Sequence, residues 1–369
     1  MSAPGTSGAL ATYRPALRPR VLLSDPLLDG PATVHLIKDT DSGNSFKVGA
    51  KEHFLIARMD GARSLAEIGE EYAGEYGRRL GDAHWQQILT MLGTKGLLAG
   101  TPLPEAPVVA PEPRTLLRGA LPLVADADAT TARLHRVVGF LLAPWAMVPL
   151  LVLIVAMEAV VVARSGELLV SVRELFTNPV LLTGTAILLW TSTALHELAH
   201  GVVARHYGGR VAEIGLRWRL PVVIMYCTVD NYVYLGSRWH RIATAAAGAV
   251  MNLLFLLPFC ALWLFAPLDD ATHDALAALL LLGSVQAFAM LVPLPPLDGY
   301  KVASQLAGAT GLAASAGGYL LLVLRRSPEA AAYPRRARIA YPAYVLGTVL
   351  VLAALVAAVA AGAHHLLTA

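Results

Sequence analysis

Five apolar runs, near 137–163, 179–206, 242–266, 275–297 and 339–362, constrain this chain more than any other feature. Each is long enough to cross the roughly 30 Å hydrocarbon core of a bilayer, which takes about 20 residues of helix. Lipid offers no partner to a backbone N–H or C=O, so each run is expected to close its own hydrogen bonds as a helix. Composition agrees: 56% of the chain is hydrophobic and 15% charged, where a soluble domain carries about 25% charged residues. The expected fold is a mainly α, multi-pass integral membrane protein, with a separate N-terminal part, since residues 1–135 have the mixed polarity of a soluble sequence.

Within that N-terminal part, residues 1–20 read as a flexible tail. VLLSDPL, TVHLIKD and NSFKVG alternate as short strands, the last two joined across the turn-rich DTDSGN. Amphipathic helices are expected near 50–59, 64–76 and 83–96, with Leu65, Ile68 and Tyr72 forming one apolar stripe. Together these predict a small α+β, winged-helix-like domain over 21–99. The proline-rich GTPLPEAPVVAPEP then opens a semi-rigid linker over 100–135, and the membrane domain occupies 136–369.

Charge orients the chain. The N-terminus lacks the apolar core of a secretory signal, so the first domain is expected in the cytoplasm. Five spans then put loop 205–241 inside, with Arg205, Arg210, Arg217, Arg219, Arg238 and Arg241, and likewise 299–338, with Lys301 and five arginines. The acidic PLDDATHD falls outside. The apolar stretch 303–324 is disfavoured as a sixth span, because it would expel those arginines. The net charge of +3 comes with no basic stripe interleaved with aromatics, so nucleic acid is not an expected partner. Cys227 and Cys260 match no metal or redox spacing and receive no role.

The chemistry lies in HELAH, residues 196–200. His196 and His200 stand four residues apart and share a helix face, so both imidazoles can reach one ion. Glu197 sits beside the first, where a carboxylate serves zinc helices as general base. Two histidines and a glutamate inside an apolar span are costly in hydrocarbon unless paired or metal-bound. His206, ten residues past His196, is turned far off that face and reads as interfacial. Catalytic zinc takes three protein ligands and one open position. Asp298 is the best third ligand: it ends the fourth span in LVPLPPLDGY, where prolines break the helix and Gly299 permits a turn. Asn252, inside the third span, needs a partner in lipid and either contacts substrate or an oxyanion, or joins two helices. Glu158 reads as an interfacial acid. Residues 210–235 look strand-like, either a structural hairpin or a short β-segment near the site whose edge takes an extended peptide.

HELAHGVVARHYG, AAAGAVMN and LVPLPPLDGY, in this order and spacing, resemble the three-helix core of the site-2 protease type of intramembrane zinc metalloproteases, peptidase family M50. The resemblance implies one Zn²⁺ per chain on His196, His200 and Asp298, Glu197 as base and Asn252 as a substrate or transition-state contact. Ala249 stands where the family often has proline, and Met290 where it often has asparagine. TVHLIKDTDSGNSFKVG, MDGARSLAEIGEEY and the ending GLLAG resemble a PqqD-type module, which implies capture of a peptide leader by residues 21–99. The combined expectation is a zinc endopeptidase that cuts a peptide or membrane-protein substrate near the cytoplasmic face, removing the leader of a ribosomally made modified peptide. The alternatives are regulated intramembrane proteolysis of a membrane-anchored signalling protein, and a non-hydrolytic peptide-binding immunity or export partner.

Overall fold

The computed structural model describes residues 8–101, 115–220 and 222–368. They form two compact units: Met1–Pro111 with Gly308–Gly311 and Leu321–Arg338, and Glu112–Ala307 with Leu312–Leu320 and Ile339–Ala369.

The first unit begins with a single turn, α1 (Gly8–Ala11), and continues through β1 (Val21–Leu23), β2 (Leu27–Asp29), β3 (Ala32–Asp39) and β4 (Ser45–Gly49). The predicted hairpin is β3–β4, antiparallel with Val34 opposite Gly49 and Lys38 opposite Ser45. β1 and β2 pair with the other side of β3. VLLSDPL is therefore two short strands and not one, broken around Pro26, which has no N–H to give the ladder. Segment 308–311 closes the outer edge of β2, where Leu28 N donates to Gly308 O and Thr310 N to Leu28 O.

Three helices cover this sheet: α2 (Ala50–Ile56), α3 (Leu65–Tyr76) and α4 (Asp82–Thr94). Ser64 starts α3 with a capping box, its hydroxyl accepting from Glu67 N while the Glu67 carboxylate accepts from Ser64 N. The predicted stripe of Leu65, Ile68 and Tyr72 is buried against Ile37, Trp85, Ile88 and Leu92. Residues 12–20 are not a free tail: Leu65 N donates to Tyr13 O, Leu17 N to Met59 O and Arg18 N to Leu97 O. Leu10 and Leu17 pack on the same core, so burial of apolar side chains holds the segment down; residues 1–7 lie outside the described residues.

The second unit opens with β5 (Arg118–Pro122) and α5 (Ala127–Val138), where a linker was expected. Of that linker, 102–114 lies outside the described residues. What orders the rest is pairing with distant chain. β5 runs antiparallel to a later strand, from Arg118 opposite Arg219 to Pro122 opposite Gly215. Asp126 caps α5 by accepting from Ala129 N, and Asp128 accepts from Arg205 and from Val211 N. The β5 pairing and the Asp128 contacts leave no local signal in the sequence.

There follow α6 (Pro144–Ala163), α7 (Ser165–Leu175), α8 (Pro179–His206), the hairpin β6 (Arg210–Arg219) and β7 (Val222–Asp230), then α9 (Arg238–Phe265), α10 (Asp270–Met290), α11 (Asp298–Ala307), α12 (Leu312–Leu324) and α13 (Arg335–Thr368). Among the described residues, α6, α8, α9, α10 and α13 are long and apolar enough to cross a membrane. Stretch 303–324 is split between α11 and α12, and the 13 residues of α12 reach only about 20 Å, short of a span. Helices α8, α9 and α10 pack on one another around Leu253, Leu256, Leu280 and Ala287, and the sheet β5–β6–β7 lies beside α5 and α8.

Candidate metal centre

HELAH lies in the last three turns of α8 and is helical throughout, so His196 and His200 do share a face, turned inward at 4% and 6% exposure. The expected end of span four is corrected by the structure: α10 stops at Met290, residues 291–297 turn, and Asp298 is the first residue of α11. The three prolines between 293 and 296 withdraw N–H groups that a continuous helix would need. Gly299 is then required by space, since a Cβ there would lie 2.0 Å from Leu291 O. The result delivers the Asp298 side chain, 7% exposed, into the face of α8.

Asp298 Oδ2 lies 2.9 Å from His196 Nε2 and 3.1 Å from His200 Nε2, and the two nitrogens are 3.2 Å apart. Among the described residues this is the group of three or more His, Cys, Asp or Glu that could hold a metal ion. The fit to Zn²⁺ is close, because a tetrahedral ion with arms of about 2.0–2.1 Å has ligands about 3.3 Å apart. Burial opposes ionisation of Asp298, yet hydrogen bonds from His196 and His200 and the charges of His200 and Lys301 hold its carboxyl far below the usual range. The candidate third ligand is thus an anion at neutral pH.

The other nitrogen of each imidazole is also held. His200 Nδ1 donates to Thr244 O at 2.7 Å, which fixes the ring with Nε2 facing the triangle. Asn252, 1% exposed, lies 3.2 Å from His196 Nδ1 through its amide and 3.0 Å from Ser192 Oγ. Here Asn252 Nδ2 faces His196 Nδ1 and Oδ1 accepts from Ser192 Oγ; were a metal held on Nε2, Nδ1 would carry the proton and the amide would have to turn its oxygen to it. The structure brings Asn252 to the back of a candidate ligand, across the contact of α9 with α8. Gly248 in the same helix makes this possible, since a Cβ there would meet the His196 ring at 2.4 Å.

Glu197 points to the sheet side, where its Oε2 accepts from the backbone N–H of Cys227 on β7 at 3.0 Å. The Cys227 thiol, pushed up to about 12 by burial and by the Glu197 charge, stays neutral and competes poorly as a ligand. Lys301 Nζ donates to Asp298 Oδ1 at 2.8 Å. The sequence reading missed Cys227, Lys301 and Thr244. Lys301 could have been found, because it stands three residues after Asp298, but only with α11 recognised as a helix. The contacts of Cys227 and Thr244 are backbone groups with no side-chain signal. His206 stays apart from the triangle and pairs with His135 at 3.2 Å. Glu158 accepts from Ser284 on α10 at 2.8 Å, a helix-to-helix contact.

Residues 184–275 match the model of Peptidase family M50. The matched stretch, about a quarter of the chain, contains His196, Glu197, His200 and Asn252 and stops before Asp298. Asp298, outside the matched stretch, meets the two histidines through the geometry above. Comparison with curated proteins and with solved structures finds no match.

Proposed function

We propose that the chain is a zinc-dependent intramembrane endopeptidase whose N-terminal domain captures the leader of a ribosomally made peptide for removal near the cytoplasmic face. The observation that carries the hydrolytic half is the buried triangle of His196, His200 and Asp298 with Glu197 one residue along α8. Zn²⁺ held there would acidify a water and polarise the scissile carbonyl. Glu197 keeps Oε2 on the Cys227 N–H, which leaves Oε1 to accept a proton from the attacking water and pass it to the leaving amide nitrogen. Burial of the ligand set keeps bulk water away and strengthens each of these electrostatic contacts.

β7 is the edge of its three-stranded sheet, and the strand that touches Glu197 is this edge strand. An extended substrate added there would pass beside the base. In the first unit, β4 is the outer strand opposite β1 and β2, and its other side, which pairs with no strand among the described residues, offers a place for a leader to add as a further strand. The positive loop 205–241 and the acidic 267–274 favour the orientation with the N-terminal domain inside.

The test is cleavage of a candidate precursor peptide by the full-length protein in detergent, with wild type, Glu197→Gln and a chelated sample in parallel. Cleavage is expected from wild type alone, with Glu197→Gln still binding one zinc. A Glu197→Gln protein that cuts as fast as wild type would sink the assignment of the base. Zinc and peptide binding without any cleavage, across both leader peptides and membrane-anchored substrates, would replace the enzyme by a binding partner.

A further inference from the structure

Both carboxylates at the centre are tied by one oxygen. Glu197 has Oε2 on the Cys227 N–H, and Asp298 has Oδ1 on the Lys301 ammonium, 3.0 and 2.8 Å away. For Asp298 this has a consequence for coordination number. A carboxylate can offer a metal one oxygen or two, and a catalytic zinc site needs three protein donors so that the fourth position stays free for water. With both oxygens turned to the ion, Asp298 would take up that position.

Lys301 stands on α11 one turn beyond Asp298, three residues away, so the helix itself sets the distance between ammonium and carboxylate. The two ends of the pair differ in environment. The lysine side chain is 50% exposed and the aspartate 7%, so the ammonium approaches from the solvent side and meets the one oxygen that faces away from the imidazoles. Oδ2 is left as the atom within 3.1 Å of both His196 and His200 Nε2.

We infer that Lys301 is a positioning residue that commits Asp298 to a single coordinating oxygen and so keeps the fourth metal position open for water. The inference rests on the metal reading of the His196, His200 and Asp298 triangle. It differs from a role in holding the metal at all: loss of the ammonium frees Oδ1 to rotate toward the ion, which tightens or preserves metal binding while closing the position where water must sit.

The experiment compares full-length wild type, Lys301→Met and Lys301→Arg loaded with Co²⁺, whose visible spectrum shifts when added azide replaces a bound water. Metal content, the azide titration and precursor cleavage are read on the same samples. Wild type and Lys301→Arg are expected to bind one Co²⁺ and to show the azide shift. Lys301→Met is expected to bind one Co²⁺ whose spectrum the same azide concentrations leave unchanged, and its kcat falls about 10-fold or more at unchanged KM. An azide shift in Lys301→Met equal to that of wild type overturns the inference. So does loss of metal from Lys301→Met, which would make the lysine a keeper of the ligand set and not of its coordination number. A wild type that binds no Co²⁺ removes the metal reading itself, and the two failures are told apart by the metal content of wild type.

Discussion

At the scale of single residues, the centre is organised by what holds the far side of each ligand. His200 is fixed by a backbone carbonyl, that of Thr244, and His196 by a side chain, that of Asn252. Only the second can be removed by substitution, so it carries the prediction. Asn252→Ala leaves His196 Nδ1 without a partner in a site 1% exposed, and losing such an outer partner weakens metal binding about 10–100-fold. Competition with a chromogenic chelator should read this shift while cleavage at saturating zinc is largely restored. A substrate-contacting Asn252 would behave in the opposite way, with metal affinity untouched and KM raised. HELAH was legible because both histidines sit on one helix, where spacing alone predicts a shared face. The partners of those histidines were not, since Thr244 and Asn252 belong to α9 and reach α8 only through packing.

Among elements, the contact that matters most is that of α8 with α9. The two helices come close enough for the His196 ring to fill the space a Cβ would occupy at Gly248, and small residues at a helix interface are what lets backbones approach in a membrane. Gly248→Ala should push the helices apart or turn the imidazole away from Asp298. We expect metal stoichiometry well below one with the helical circular dichroism unchanged; a full complement of zinc in that variant would show that the interface yields without disturbing the centre. The break between α10 and α11 has the same character. Prolines and Gly299 announced that the backbone would turn, and where the chain resumed as a helix, with Asp298 at its start, followed from packing against Leu291 and α9. β5 and the docking of α5 lay outside local reading: β5 pairs with β6, Arg118 opposite Arg219, and Asp128 of α5 is tied to Val211, 83 positions on.

For the whole molecule, the proposed orientation places the N-terminus and the hairpin β6–β7 on the cytoplasmic side and residues 267–269 on the other. Single cysteines introduced in a Cys227→Ser, Cys260→Ser background, one near residue 80 and one at position 268, should be labelled from opposite sides of sealed inverted vesicles. Labelling of both from one side would overturn the five-span arrangement. Five spans, an N-terminal α+β domain with its hairpin and helical stripe, and a metal-type helix were determined by the sequence alone, because each depends on periodicity within one segment: hydrophobic length against bilayer thickness, alternation in strands, and four-residue spacing on a helix. The tertiary structure decided the place of the proposed third donor, the hold on each imidazole, the tie of Glu197 to Cys227 and that of Asp298 to Lys301. His196 and Asp298 are 102 positions apart, and at that separation no periodicity connects two residues; only the packing of α8, α9 and α11 brings their atoms to hydrogen-bonding distance.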